Sequence, residues 1–350
     1  MLSSLAFLVL IVGAAALDCN QIPDDQIVAG HTVIIPSANE SAVLPPNYRC
    51  IYRVTVPPMM YAHVQLANKL KGNNDLITVL DEQSTKTVVS SRSAQVVHFY
   101  VFPNTTTTFD VSTKSVDMHS SFRLVVYYRT MLPAETTLLY NPADFKYFML
   151  NHLRVNSYYA PQRMVAKEQI SLSLAYSGWD AELLDNFFVI DGDFENPKNV
   201  YRMPRFIHQN FVSSGNTLTV VGLDNRVSES SVVFTLLSEV QKYDSVTAIG
   251  TYFAANELDI NAKTGGKQKT VVNVIGMNDY TRVLNVARSS DPNCSVKAVS
   301  APVSENSQVY FDFVTGDFPR NITHKSFSIV AEKCAASITM VSLNYDSDSK

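Results

Sequence analysis

Arg49-Cys-Ile-Tyr-Arg-Val-Thr-Val56 is a run of β-branched and aromatic residues entered through Leu44-Pro-Pro-Asn-Tyr48, and it reads as a strand that follows a turn. The same signature returns at Leu76-Ile-Thr-Val-Leu80 and Gln95-Val-Val-His-Phe-Tyr-Val101, again between clusters of Pro, Asn, Gly and Ser. Helical periodicity is scarce; the best candidate is the short segment from Pro142 to Leu153, with Asp144, Lys146 and His152 among its polar positions. Many short strands at regular spacing predict an all-β fold of sandwiches or barrels.

Outward from these strands the chain repeats itself. Ser120-Ser-Phe-Arg-Leu-Val-Val-Tyr-Tyr128, Ser230-Ser-Val-Val-Phe-Thr-Leu-Leu-Ser238 and Lys325-Ser-Phe-Ser-Ile-Val-Ala-Glu-Lys333 read as equivalent closing strands. They recur about 100 residues apart, the size of one sandwich. An aspartate-flanked inner strand recurs as Asn74-Asp-Leu-Ile-Thr-Val-Leu-Asp81 and Asp185-Asn-Phe-Phe-Val-Ile-Asp-Gly192, with Thr270-Val-Val-Asn-Val-Ile-Gly-Met-Asn-Asp279 as a looser third copy. A chain of 350 residues also exceeds what one core fills. The expected organisation is a leader at 1–16 and tandem antiparallel sandwiches at 17–130, 131–240 and 241–345.

The leader is Leu5-Ala-Phe-Leu-Val-Leu-Ile-Val-Gly13 followed by Ala14-Ala-Ala16, a signal-peptide core with a small-residue cleavage site but without the usual basic residue ahead of it. Cleavage after Ala16 leaves a chain that begins Leu17-Asp-Cys19, so the expected location is extracellular. No later run reaches the roughly 18 to 20 apolar residues of a spanning helix, and the end Asp346-Ser-Asp-Ser-Lys350 is not a lipid-anchor signal. Sequons at Asn39, Asn104, Asn293 and Asn321, each beside turn-type residues, agree with secretion. Net charge is −4, with 28 basic and 32 acidic residues mixed along the chain. There is no basic stripe to neutralise phosphates, which argues against nucleic acid.

Four cysteines fall in two sequence-local pairs, Cys19 with Cys50 and Cys294 with Cys334. Four cysteines allow three connectivities, and the local one avoids tying the first module to the last. Each such loop, closed in an oxidising compartment, is worth roughly 3.5 to 4 kcal/mol on the chain-entropy model. No C-x-x-C or histidine cluster points to zinc.

Catalytic signatures are missing: the seven histidines occur singly, and no H-E-x-x-H, G-x-S-x-G or phosphate-binding glycine motif is present. Gly265-Gly266-Lys267 reads as a hairpin turn. The lone Trp179, beside Gly178 and Asp180, is expected to pack into the core or a turn, with a recognition anchor as the alternative. The aromatic run expected at the surface is Ser157-Tyr-Tyr-Ala-Pro161.

Cys19, the turn Ile35-Pro-Ser37 and Leu44-Pro-Pro-Asn-Tyr-Arg-Cys-Ile-Tyr-Arg-Val54 follow one another as cysteine, proline turn and NYxCxYxV strand do at the start of a CUB domain. Asp185 to Gly192 is similar to that family's aspartate-flanked strand, and Ser213-Ser-Gly-Asn-Thr-Leu-Thr-Val220 with Asp224 is similar to its SSGNxLxV edge. The divergent form most resembles secreted CUB-like proteins of nematodes, a resemblance that implies a jelly-roll sandwich, no catalysis and a setting of intestinal defence or stress. Some CUB domains hold calcium between loop carboxylates, which implies a possible site at Asp185, Asp224 and Asp180 or Glu182. The first module matches only at Asp75, with Asn104 near the place of the later aspartate. Ordinary strand-end capping by these aspartates is the competing expectation. The resemblance implies a recognition protein whose partner is an extracellular protein or glycan; the alternative is a structural glycoprotein of an extracellular or luminal coat.

Overall fold

A computed structural model describes residues 19–36, 41–115, 119–141, 144–155, 158–223, 226 and 228–345. The leader, Asn39 and Asp224 therefore lie outside the described residues. The chain divides into two compact units, Met1–Met131 and Leu132–Lys350.

The first unit is one sandwich. Its strands are β1 (Thr32–Ile35), β2 (Ala42–Val43), β3 (Arg49–Thr55), β4 (Met60–Lys69), β5 (Leu76–Leu80), β6 (Lys86–Ser90), β7 (Val96–Val101), β8 (Thr106–Ser112) and β9 (Ser121–Thr130). One sheet runs β3-β8-β5-β6; the facing sheet runs β1-β9-β4-β7, with β2 also on β9. In β3, Cys50, Tyr52 and Val54 point inward while Arg49, Arg53 and Thr55 point outward, the period-two alternation of a strand with one wet face. Tyr52, Leu66, Ile77, Phe109 and Phe122 fill the space between the sheets. The Cys19–Cys50 disulfide ties the entering chain to β3.

The second unit holds two further sandwiches. After β10 (Glu135–Leu139), β11 (Lys146–Met149), β12 (Arg154–Val155) and β13 (Tyr158–Tyr159) come β14 (Gln162–Ala166), β15 (Ile170–Ala175), α1 (Ala181–Leu184), β16 (Phe187–Gly192), β17 (Pro197–Arg202), β18 (Phe211–Val212), β19 (Thr217–Gly222) and β20 (Ser231–Leu236). The rest is α2 (Leu237–Val240), β21 (Ser245–Thr251), β22 (Asn256–Asn261), β23 (Lys269–Gly276), β24 (Tyr280–Arg288), β25 (Ser295–Val299), β26 (Val309–Asp312), β27 (Arg320–Ile322), β28 (Ser326–Glu332) and β29 (Ala335–Leu343).

All three sandwiches share one strand order. The sheet β3-β8-β5-β6 recurs as β14-β19-β16-β17 and as β23-β28-β25-β26; the facing sheet recurs as β11-β20-β15-β18 and β22-β29-β24-β27. The predicted all-β, tandem-sandwich architecture is what the chain adopts. Two edge pairs depart from strict antiparallel pairing. β10 adds to β14 and β21 adds to β23 in parallel, each on the outer side of the strand that heads its sheet.

The observed strands correct four readings. Lys325–Lys333 contains β28, which occupies the place of β8 and β19, so the true closing strand of the third sandwich is β29, one strand later. Likewise Thr270–Asp279 contains β23, the partner of β28, and the counterpart of β5 and β16 is β25. The described part of the segment expected as a helix, 144–153, forms no α-helix; within it, β11 pairs with β20 and packs Phe148 against Phe234, and a single 3-10 turn follows at Leu150–Leu153. Gly265-Gly266 makes no hairpin, because β22 and β23 lie in different sheets. Gly265 instead sits against the Asp244 carboxylate, where a Cβ would come within 2.0 Å. Asp244 accepts the Lys267 and Lys269 backbone N–H groups, which hold its carboxyl below the ordinary value.

Candidate functional site

Buried loop ties hold the sandwiches closed and shape the surface. In the first unit Asp75 stands immediately before β5, is fully buried, and accepts hydrogen bonds from Ser120 Oγ (2.5 Å), Ser115 Oγ (3.0 Å) and the backbone N–H groups of Lys114 (2.8 Å) and Ser115 (3.1 Å). Burial pushes its carboxyl upward, but these donors outweigh it and the group sits below its ordinary value. In the second sandwich Asp180 does the same work. It accepts from Ser177 Oγ (3.0 Å), Ser230 Oγ (2.7 Å), Ser228 Oγ, and the backbone N–H groups of Glu229 (3.0 Å) and Ser230 (3.2 Å). Ser120 and Ser230 are the residues directly before β9 and β20.

The third sandwich has a covalent tie at this place. Cys294 stands immediately before β25, as Asp75 stands before β5, and Cys334 immediately before β29, as Ser120 stands before β9; the two are disulfide-bonded. The connection that carries the serine is 113–120 in the first sandwich and 223–230 in the second, but only 333–334 in the third. The shortened link has no room for a ring of serine and amide donors, and a disulfide closes it instead.

The same ties bear on the calcium expectation at Asp180, Asp185 and Asp224. The Asp180 carboxylate faces hydroxyl and N–H donors on both oxygens, a setting suited to an anion and unsuited to a cation that needs bare oxygen ligands. Asp185 and Glu182 are exposed, and the Arg202 guanidinium donates to the Asp185 carbonyl, bringing positive charge to the same end. Among the described residues no group of three or more His, Cys, Asp or Glu side chains is placed to hold a metal ion. The Asp180 oxygens are engaged by these donors, and Asp224 lies outside the described residues.

A cleft opens between the second and third sandwiches, within the second compact unit. β15 and β21 meet through a single parallel bridge, Tyr176 with Ile249, in which Gly250 N–H donates to the Tyr176 carbonyl at 3.1 Å. The approach is close and favours glycine: a Cβ on residue 250 would lie 3.0 Å from the Ala175 carbonyl oxygen. A second bond, Asn210 Nδ2 to the Val246 carbonyl (2.6 Å), joins the sandwiches at the other end. Between these contacts the sheets diverge and leave a cavity of about 490 Å³. Leu174, Ile249, Leu258 and Val272 contribute apolar surface; Ser177, His208, Gln209, Asn256 and Glu257 contribute polar groups. Asn256 Nδ2 donates to the Gly250 carbonyl (3.1 Å) and Glu257 accepts from Ser337 Oγ (2.7 Å), so both side chains are held by the framework.

One wall of the cleft is the turn that Asp180 braces. Ser177 and Gly178 line the cavity, Gly178 at a φ of +91° that favours glycine. Trp179, the next residue and the sole tryptophan of the chain, is 67% exposed, which overturns its expected packing in a core or turn. Tyr176, behind the turn, has its hydroxyl pushed toward the protonated form by burial and then by the negative charge of Asp180, against a hydrogen bond from the Ala181 N–H. Sequence reading singled out Trp179 and Asp180 but missed His208, Asn256 and Glu257, which come together only through the docking of two sandwiches.

Other predicted positions stand apart from the cleft. Asn104, Asn293 and Asn321 are exposed, Asn104 in a turn at a φ of 58°, while Asn321 Oδ1 accepts from Arg282 Nε at 2.9 Å. The side chains of Tyr158 and Tyr159 lie outside the described residues. No helix among the described residues is long and apolar enough to cross a membrane.

Residues 14–132 are similar to the family model of the CUB-like domain. No curated protein matches the sequence. Among solved structures, the CUB1-EGF-CUB2 domain of human MASP-1/3 is 9% identical, covering 58% of this chain and 98% of that one at a TM-score of 0.23. The same region of rat MASP-1 is 10% identical, covering 58% and 97% at 0.22. A triple jelly roll from the turret of an archaeal virus is 8% identical, covering 87% and 85% at 0.20. The CUB-like assignment rests on the match over residues 14–132.

Proposed function

We propose that this chain is a secreted, glycosylated recognition protein that binds its partner without transforming it, through the cleft between the second and third sandwiches. The observation that carries this reading is the coincidence of a cavity of ligand size, about 490 Å³, with an exposed tryptophan on the turn that walls it. Exposed tryptophan is costly to leave in water and is enriched where binding energy concentrates. The exposed sequon asparagines Asn104, Asn293 and Asn321 and the two disulfides support an extracellular setting. The resemblance to secreted CUB-like proteins of nematodes supports placing that setting at an epithelial or luminal surface during defence or stress.

The test is saturable binding of the full-length chain to fractions secreted at such a surface, with Trp179→Ala as the comparison. Removal of an exposed side chain leaves the fold intact, and the expected loss is about tenfold or more in affinity, the scale of a central aromatic anchor. Equal binding by the variant contradicts the reading. So does incorporation into an insoluble layer without any saturable partner, the result expected of a structural coat protein.

A further inference from the structure

The polar groups around the cleft narrow the chemistry of what it accepts, given that the cleft is the binding face. Its lining holds one carboxylate, Glu257, and no lysine or arginine. A phosphate, sulfate or carboxylate ligand would meet a like charge with nothing to neutralise it, at a site partly withdrawn from water. The other polar contributors include Ser177, His208, Gln209, Asn210, Thr247 and Asn256. Amide, hydroxyl and imidazole groups both donate and accept, which matches a ligand whose own groups do both. Sugar hydroxyls have that property; a cationic side chain, which only donates, does not.

The apolar part of the site points the same way. Leu174, Ile249 and Leu258 give the site a surface for C–H groups, and the exposed Trp179, next in the chain to the lining residue Gly178, adds a flat, electron-rich ring. A pyranose ring carries an apolar C–H face on one side and hydroxyls around its rim, so it stacks on the indole while its rim meets the amides. We infer that the cleft binds a neutral oligosaccharide, with Trp179 as the stacking platform and His208, Asn256 and Glu257 as hydroxyl partners.

The experiment presents the full-length chain to an array of neutral, sialylated and sulfated oligosaccharides. The expected result is binding confined to neutral structures, reduced at least tenfold by Trp179→Ala and severalfold by His208→Ala, a change at another exposed position. Equal binding to sialylated or sulfated sugars overturns the inference, as does neutral binding that both variants retain. If no sugar binds while a secreted protein partner is still held in a Trp179-dependent way, the sugar assignment fails and the cleft remains the binding face. If neither is bound through Trp179, both fail.

Discussion

Asp180→Ala is expected to weaken the second sandwich by about 3–5 kcal/mol, the cost of removing one member of a buried charged hydrogen-bond network. The variant strands the hydroxyls of Ser177, Ser228 and Ser230 and the N–H groups of Glu229 and Ser230, all of which end on this one carboxylate. Asp180→Asn keeps the shape but turns an amide N–H₂ toward donors, so its loss should be intermediate, about 1–3 kcal/mol. Amide hydrogen exchange of β20 and β15 in the full-length protein reads this directly, because these paired strands end at the tie. Unchanged protection in Asp180→Ala would mean that the loop 223–230 is held by something else. Ligand binding should fall with stability here, since the same turn carries Trp179.

The second large effect is expected in the third sandwich. Replacing both Cys294 and Cys334 by alanine opens a loop with a sequence separation of 40 residues, for which the chain-entropy relation gives about 4 kcal/mol. The location makes the loss local: Cys294 and Cys334 sit directly before β25 and β29, so protection in those strands should collapse while the first unit, with its own Cys19–Cys50 bond, is unaffected. Equal loss of protection in β3 and β8 would contradict three separate cores. Mild reduction of the native protein followed by thiol alkylation gives an independent route to the same state.

Much of this fold was legible because strands announce themselves. Cys50, Tyr52 and Val54 alternate with polar partners, and the pairs Ser120-Ser121 and Ser230-Ser231 mark closing strands because their first serine is the buried donor of the tie. The third copy escaped alignment for a physical reason. Where the other sandwiches place a serine, it places Cys334, so the signal was absent and Ser326-Phe-Ser-Ile, a strand of similar pattern, was taken in its stead. The short strand β11 read as helix because its stability comes from pairing with β20, more than eighty residues away, and not from local preference. Of the site, the sequence offered Trp179 and little more. His208 stands in a loop of the second sandwich and Asn256 and Glu257 open β22 of the third, and their meeting depends on the bridge between Tyr176 and Ile249 that no local pattern encodes.

The aspartates illustrate the same limit from the other side. Asp180 and Asp185 resemble a carboxylate cluster when read in a line. In space Asp180 is withdrawn into a nest of donors, and Asp185 is exposed beside the Arg202 guanidinium. Aspartate at a strand end is a tie first, and a metal ligand only when its oxygens are left for the ion.

The most direct test of the cleft uses the chain's single tryptophan as the reporter. Trp179 is 67% exposed in the free protein, so a ligand that enters the cleft and covers the indole must shift its emission to the blue in a saturable way. The account predicts that this shift titrates with the same affinity as binding measured independently, and that His208→Ala weakens both together. A ligand that saturates the protein while leaving the emission of Trp179 unchanged would place the binding face elsewhere.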